Sequence, residues 1–279
     1  MKKKNPDKID YIALGKKFLE DAQPELQARK DGQIFISNKK DIAEAMDLAE
    51  AALQKLKSST QSQRIVFIQT IIKTVEKLQK SICKIAAQEY KQPVKKMSEA
   101  LHIVLSQARM VVTCHNKFKE QIGHDSPIIT RMIKRENEIL KVLPCQGPVA
   151  YFINKAPSFP FQIINKEVLF HFADGNTIAA IGEPSSRHSD ALLCYAIKEA
   201  AHKTNMPEGV FTLWQGMDLA KIKQLIAQPK LGAISFSSAY DFGYMLFVTH
   251  EATLKEVPFS FIMDDNMETL LSILMEEEE

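Results

Sequence analysis

Between residues 147 and 243, short apolar runs alternate with amphipathic segments, and no other feature constrains the fold so strongly. A run such as Val149-Ala150-Tyr151-Phe152-Ile153 has no polar face. As a strand it must be covered on both sides, which implies a parallel sheet between two helix layers. The pattern predicts strands over 149–153, 177–181, 209–214, 232–236 and 258–263. The intervening helices fall over 159–172, 189–203 (capped by Ser186 or Ser189), 219–227 and 240–252. Right-handed crossovers bring all the strand C-termini to one edge, and open sheets of this kind bind ligands there.

Upstream, the period changes. Residues 1–36 read as a loop-like extension with a short helix near 11–21. Ile42, Ala45, Met46, Ala49, Leu53 and Leu56 recur at three and four, one face of a helix over 39–56 with Asn38 as its N-cap. A second helix starts at Thr60, with Gln63 completing a capping box, and carries Ile65, Ile68, Ile72, Val75, Leu78, Ile82 and Ile85. A third begins near Pro93 and runs through Met97, Leu101, Val104, Ala108, Val111 and Phe118. These stripes are core faces. From Pro127 to Val142 the period shortens to two, giving a β-hairpin that turns at Glu136-Asn137. Lys134 and Arg135 there read as charges that protect a strand edge. The domain reading is an extension over 1–36, one α/β domain over 37–265 with the hairpin at 127–143, and an acidic tail over 266–279. The tail ends in four glutamates, which repel one another and stay solvated.

Composition narrows the function classes. With 45% apolar and 25% charged residues, a chain of 279 residues can bury a sizeable core. A net charge of +2 gives no push toward nucleic acid or an anionic membrane. Cys83, Cys114, Cys145 and Cys194 form no CxxC pair, which argues against zinc and a disulfide scaffold and for reduced thiols in the cytoplasm. The basic start, Met1 to Lys4, leads into polar residues rather than the apolar core of a signal peptide. No window holds about 18 uninterrupted apolar residues, so no membrane span is expected.

No strand is followed by GxGxxG, and there is no GxxxxGK[ST]. The strand ends carry other motifs: Gly147-Pro148-Val149, Phe159-Pro160, Gly175-Asn176, Pro207-Glu208-Gly209-Val210-Phe211 and Ser235-Phe236. Each is weak alone. Together, in this order and spacing, they resemble the N-terminal and middle parts of the aldehyde dehydrogenase superfamily, over roughly residues 30–265. The resemblance implies a Rossmann-like doubly wound parallel sheet with N-terminal helices and a hairpin excursion used in oligomerisation. It also implies NAD or NADP as cofactor, with candidate contacts at Pro157, Glu183, Gly216, Phe236 and Ser237. A carboxylate such as Glu183 at this edge is the usual ribose partner.

In that superfamily a second domain supplies a cysteine thiolate that attacks the aldehyde; hydride passes to nicotinamide and the thioester is hydrolysed. The departures from the pattern point away from this chemistry. Ser158 stands where the family has its oxyanion asparagine, and Ile181 where it has a lysine for the adenine ribose. Ser238 and Ala239 replace the glycine and serine of a Phe-Thr-Gly-Ser loop, and Ile262 stands about where the general-base glutamate falls. None of the four cysteines matches the nucleophile, whose domain is expected to be absent. Other candidates have plainer readings. Cys114 and His115 point about 100° apart on a helix, His188, Ser189 and Asp190 form a cap, and Asp264, Asp265 and Asn266 form a turn. The expectation is an inactive homologue that acts by binding, as a homo-oligomer or with a full-length relative. The alternatives are half of a split enzyme and a simple NAD(P)-binding module.

Overall fold

The computed structural model describes residues 39–122, 131–135, 138–142, 147–153, 160–182, 184–215, 217–237 and 242–261. Among the described residues three helices come first: α1 (Lys39–Ser58), α2 (Gln61–Glu89) and α3 (Val94–Ile122). The predicted stripes are buried: Ile42, Met46, Ala49, Leu53 and Leu56 of α1 are at most 1% exposed. Thr60 caps α2 as read from sequence, its side chain accepting from the Gln63 N–H at 3.2 Å while the Thr60 N–H donates to Gln63 Oε1 at 2.8 Å. The hairpin follows as β1 (Arg131–Arg135) and β2 (Glu138–Val142), antiparallel with Arg135 opposite Glu138.

The α/β unit is β3 (Val149–Phe152), α4 (Lys166–Ala173), β4 (Ile178–Gly182), α5 (Arg187–Lys203), β5 (Phe211–Gln215), α6 (Leu219–Ile226), β6 (Ala233–Phe236), α7 (Phe242–Leu254) and β7 (Phe259–Phe261). The strands form one parallel sheet in the order β5-β4-β3-β6-β7. The chain therefore steps outward from β3 through β4 to β5, then returns to the other side of β3 for β6 and β7.

This reversal sorts the helices. Val149, Tyr151, Ile178, Ala180, Phe211 and Leu213 point into a core shared with α2, α3, α4 and α5. Ala150, Phe152, Ala179, Ile181, Trp214, Ile234 and Phe236 point into a second core with α1, α6 and α7. Side chains on a strand alternate between faces, so the apolar runs read from sequence supply both layers at once. The N-terminal helices do not form a single layer: α1 crosses to the face opposite α2 and α3, where Thr177 Oγ1 donates to Ala49 O at 3.1 Å. Among the described residues no helix is long and apolar enough to cross a membrane.

One predicted helix is broken. In place of a continuous helix over 159–172, Gln162–Ile164 form a single 3₁₀ turn and α4 begins at Lys166. Asn165 makes the break. It is extended, its side-chain oxygen accepts from Val168 N–H at 3.0 Å as an N-cap, and its amide donates to the buried Tyr151 hydroxyl at 2.7 Å. A side chain that bonds nearby backbone in this way competes with helix continuation. Just before the 3₁₀ turn, Phe161 holds φ at 67° while only 2% exposed. A bulky residue in the left-handed region stores about 1–3 kcal/mol of strain, held here by burial of its ring.

Candidate functional site

The strand order places a crevice between the C-terminal ends of β3 and β6, where the winding reverses. The ladder continues one residue past each strand: Ile153 N–H donates to Ile181 O at 3.1 Å, and Ser237 N–H to Phe152 O at 3.0 Å. Phe236 ends β6 with its ring stacked on Phe152 at 5.3 Å between centroids. Both rings are buried in the α1/α6/α7 layer. What Phe236 can present to a ligand is therefore its backbone. Ser237, 3% exposed, is the first residue beyond β6 and lies at the crevice itself.

Pro157, Glu183 and Gly216 lie outside the described residues, as do Ser158, Ser238, Ala239, Ile262 and Asp264 to Asn266. The side chains of Cys114, His115, Lys134 and Arg135 do too. Glu183 directly follows Gly182, the last residue of β4, and Gly216 directly follows Gln215, the last of β5. Ile181 sits within β4, between Phe152 and Trp214 in register and 5% exposed, so its side chain belongs to the core.

The start of α5 is a polar cluster that sequence reading did not resolve. The helix begins at Arg187, two residues before the predicted start, and Ser186 makes no side-chain cap bond. The Ser186 hydroxyl donates instead to Asp190 Oδ2 at 2.7 Å. The cap comes from 99 residues upstream: Glu89 Oε1 accepts from His188 N–H at 2.7 Å and stands 3.0 Å from His188 Nδ1. Glu89 Oε2 accepts from Ser189 N–H at 3.1 Å and from Ser189 Oγ at 2.6 Å. From the end of β5, Gln215 Nε2 donates to Arg187 O at 3.0 Å.

A local signal for this cap exists. Glu89 is the final residue of α2, where a negative charge opposes the helix dipole. Its stabilising partner is the opposite pole of another helix, the N-terminus of α5. Only the partner's identity needs the fold.

The described thiols are poor nucleophiles. Cys83 and Cys194 are free and buried. Burial pushes the Cys83 thiol up to about 11. Burial pushes Cys194 up to about 12, with Lys198 pulling the other way and Asp190 reinforcing. In the native protein both should resist iodoacetamide at pH 8 and react promptly once denatured, as mass spectrometry of labelled peptides would show. The raised folded values also set a pH window. Unfolded thiols ionise near their ordinary 9.0 while the folded ones stay protonated. Their contribution to stability is complete below pH 9 and is lost as pH rises toward the folded values.

Among the described residues no His, Cys, Asp and Glu group could hold a metal ion. A separate surface groove between α2 and α3 is lined by Gln69, Ile72, Lys73, Glu76, Arg109, Val112 and Thr113. Glu76 and Arg109 pair across it.

An open parallel sheet whose strand order reverses at a switch point defines the doubly wound class of α/β proteins. Residues 15–260 match the family model for the aldehyde dehydrogenase family, and the chain belongs to that family. It is 25% identical over 228 residues to alpha-ketoglutaric semialdehyde dehydrogenase of Acinetobacter baylyi, covering 78% of this chain and 41% of that relative. Its fold is similar to glyceraldehyde-3-phosphate dehydrogenase of Methanocaldococcus jannaschii complexed with NADP (TM-score 0.63, 17% identity, 82% of this chain and 47% of that one). It is likewise similar to aldehyde dehydrogenase of Bartonella henselae (TM-score 0.65, 20% identity, 82% and 45%). The chain thus spans less than half the length of the relatives it matches.

Proposed function

We propose that this chain is a nucleotide-binding unit of the aldehyde dehydrogenase fold that does not oxidise aldehydes by itself, and that it works by binding, as a homo-oligomer or with a full-length relative. The observation that carries this reading is the state of its two described thiols. Cys83 and Cys194 are both buried and both held protonated. Neither is poised for attack, because the nucleophile in such chemistry is a thiolate. Reduced, unpaired thiols also suit a cytoplasmic protein.

NAD or NADP is the cofactor that a switch point of this kind would take. The topology supplies the switch point, and the β4–α5 edge offers the exposed Ser185 and the half-buried Arg187 beside a helix start. A hydroxyl and a guanidinium suit a ribose and its phosphates. Ser237 stands at the β6 end, where the pyrophosphate would approach, and Pro157, Glu183 and Gly216 come after β3, β4 and β5 in the sequence. When bound, such a cofactor supplies hydride acceptance at its nicotinamide.

The test is aldehyde-dependent NADH or NADPH formation by the purified chain, across short aliphatic and aromatic aldehydes. The expected result is a rate at background; turnover above background would overturn this reading, whether or not it survives substitution of all four cysteines. A second reading is the nucleotide-binding half of a working enzyme whose cysteine-bearing part comes from elsewhere. The intact switch-point topology favours it. Activity that appears only when a catalytic part of the family is added would decide for it.

A further inference from the structure

We propose that Glu89 is a positioning residue for the adenosine half of the bound dinucleotide. The proposal rests on the reading of the strand-end crevice as a dinucleotide cradle. In doubly wound sheets the adenosine ribose is read beyond the end of the unit's second strand. Here that strand is β4, and the chain leaves it at Gly182 to enter α5 at Arg187. The placement of this short turn decides where the exposed Ser185 and the half-buried Arg187 stand.

Both ends of the turn are clamped. At the β4 end, Gly182 is held in the sheet in register with Gln215 of β5. At the α5 end, Asp190 takes the Ser186 hydroxyl and Gln215 takes the Arg187 carbonyl. The charge that fixes the helix start comes from outside the α/β unit. Glu89 on α2 makes three hydrogen bonds to His188 and Ser189, with the His188 ring at 3.0 Å, and the Glu89 side chain is 7% exposed. A carboxylate accepting two backbone N–H groups at a helix N-terminus combines charge-assisted bonds with a favourable dipole. Ser186 makes no side-chain cap bond, and the His188 and Ser189 N–H groups go to Glu89. The edge that would meet the adenosine is therefore tied to α2 through Glu89, whose hydrogen bonds to His188 and Ser189 lie on the β4–α5 side of the switch point rather than at the β3 and β6 ends.

This asymmetry gives the experiment. AMP and nicotinamide mononucleotide serve as separate probes of the two halves, titrated calorimetrically into the whole chain as wild type, Glu89→Gln and Glu89→Asp. Glu89→Gln removes the charge and sets an amide donor against backbone donors. It should weaken AMP at least fivefold and change nicotinamide mononucleotide less than twofold. Glu89→Asp keeps the charge on a shorter arm and should recover part of the AMP affinity. Circular dichroism at the titration temperature confirms that each variant is folded; if Glu89→Gln is not, the Asp variant carries the comparison with the same AMP-specific loss at smaller size. Equal loss for both probes, or none for either, overturns the positioning role. Wild-type chain that binds neither probe overturns the cradle itself, and this assignment with it.

Discussion

Replacing Gly147 by alanine should destabilise the fold by about 3 kcal/mol or more, the upper end for an overpacked site. The reason is a backbone-on-backbone contact at the entry to the sheet. A Cβ at Gly147 would lie 2.3 Å from Lys230 O and 2.6 Å from Gly232 N. One at Gly232 would lie 2.1 Å from Gly147 N. The two glycines press face to face where β3 and β6 begin, and Gly232 N–H donates to Pro148 O at 2.9 Å. Nothing at this contact is the end of a flexible side chain, so relief requires the two strands to separate. Those strands flank the crevice at their far ends. Urea unfolding should show a lower midpoint for Gly147→Ala and for Gly232→Ala, and the double variant should cost much less than the sum, because both substitutions spoil one contact. Two additive losses would mean that the glycines act separately. A change below about 0.5 kcal/mol in both would mean that the strands yield freely.

This contact also shows what can be read from the chain alone. Gly147-Pro148-Val149 is visible as a motif, but its cause is a second glycine 85 residues later, and no local pattern joins them. Features whose cause is local were legible. The Thr60–Gln63 capping box appears as written, as do the stripes of α1 and α2 and the alternation that produces the sheet. These depend on neighbours within a turn or on side-chain period, which sequence records directly. Features with distant causes were not. The side of the sheet that α1 occupies is decided by the whole winding, and the cap of α5 comes from Glu89. The break at Asn165 was legible in principle, since asparagine is a strong N-cap, but the apolar run around it read as one helix. For the site, the edge could be named from topology rules. Phe236 and Ser237 do stand at the end of β6, and Phe236 keeps its ring in the core because strand alternation assigns it there.

The other large effect is expected at Arg64. Converting it to methionine should cost about 2–6 kcal/mol, from the two close carbonyl acceptors, Ala173 O and Ser59 O, left buried without a donor. Arg64 lies on α2 and is fully buried, and it is the largest such side chain among the described residues. Its Nε donates to Ala173 O at 2.8 Å, satisfying a carbonyl in the last turn of α4. Its Nη1 donates to Ser59 O at 2.6 Å, with longer contacts to Ser59 Oγ at 3.3 Å and Leu56 O at 3.4 Å in the α1–α2 turn. One guanidinium thus stitches the end of α1, the start of α2 and the end of α4, just before Gly175 turns toward β4 at φ 81°. Methionine would fill most of the volume but leave buried carbonyls without donors, each at a cost of about 1–3 kcal/mol. Lysine should not rescue: a single ammonium cannot span acceptors that the planar fork reaches in two directions. Thermal and urea unfolding of Arg64→Met and Arg64→Lys would measure both. If lysine restores wild-type stability, charge alone suffices at this position and the fork geometry contributes nothing.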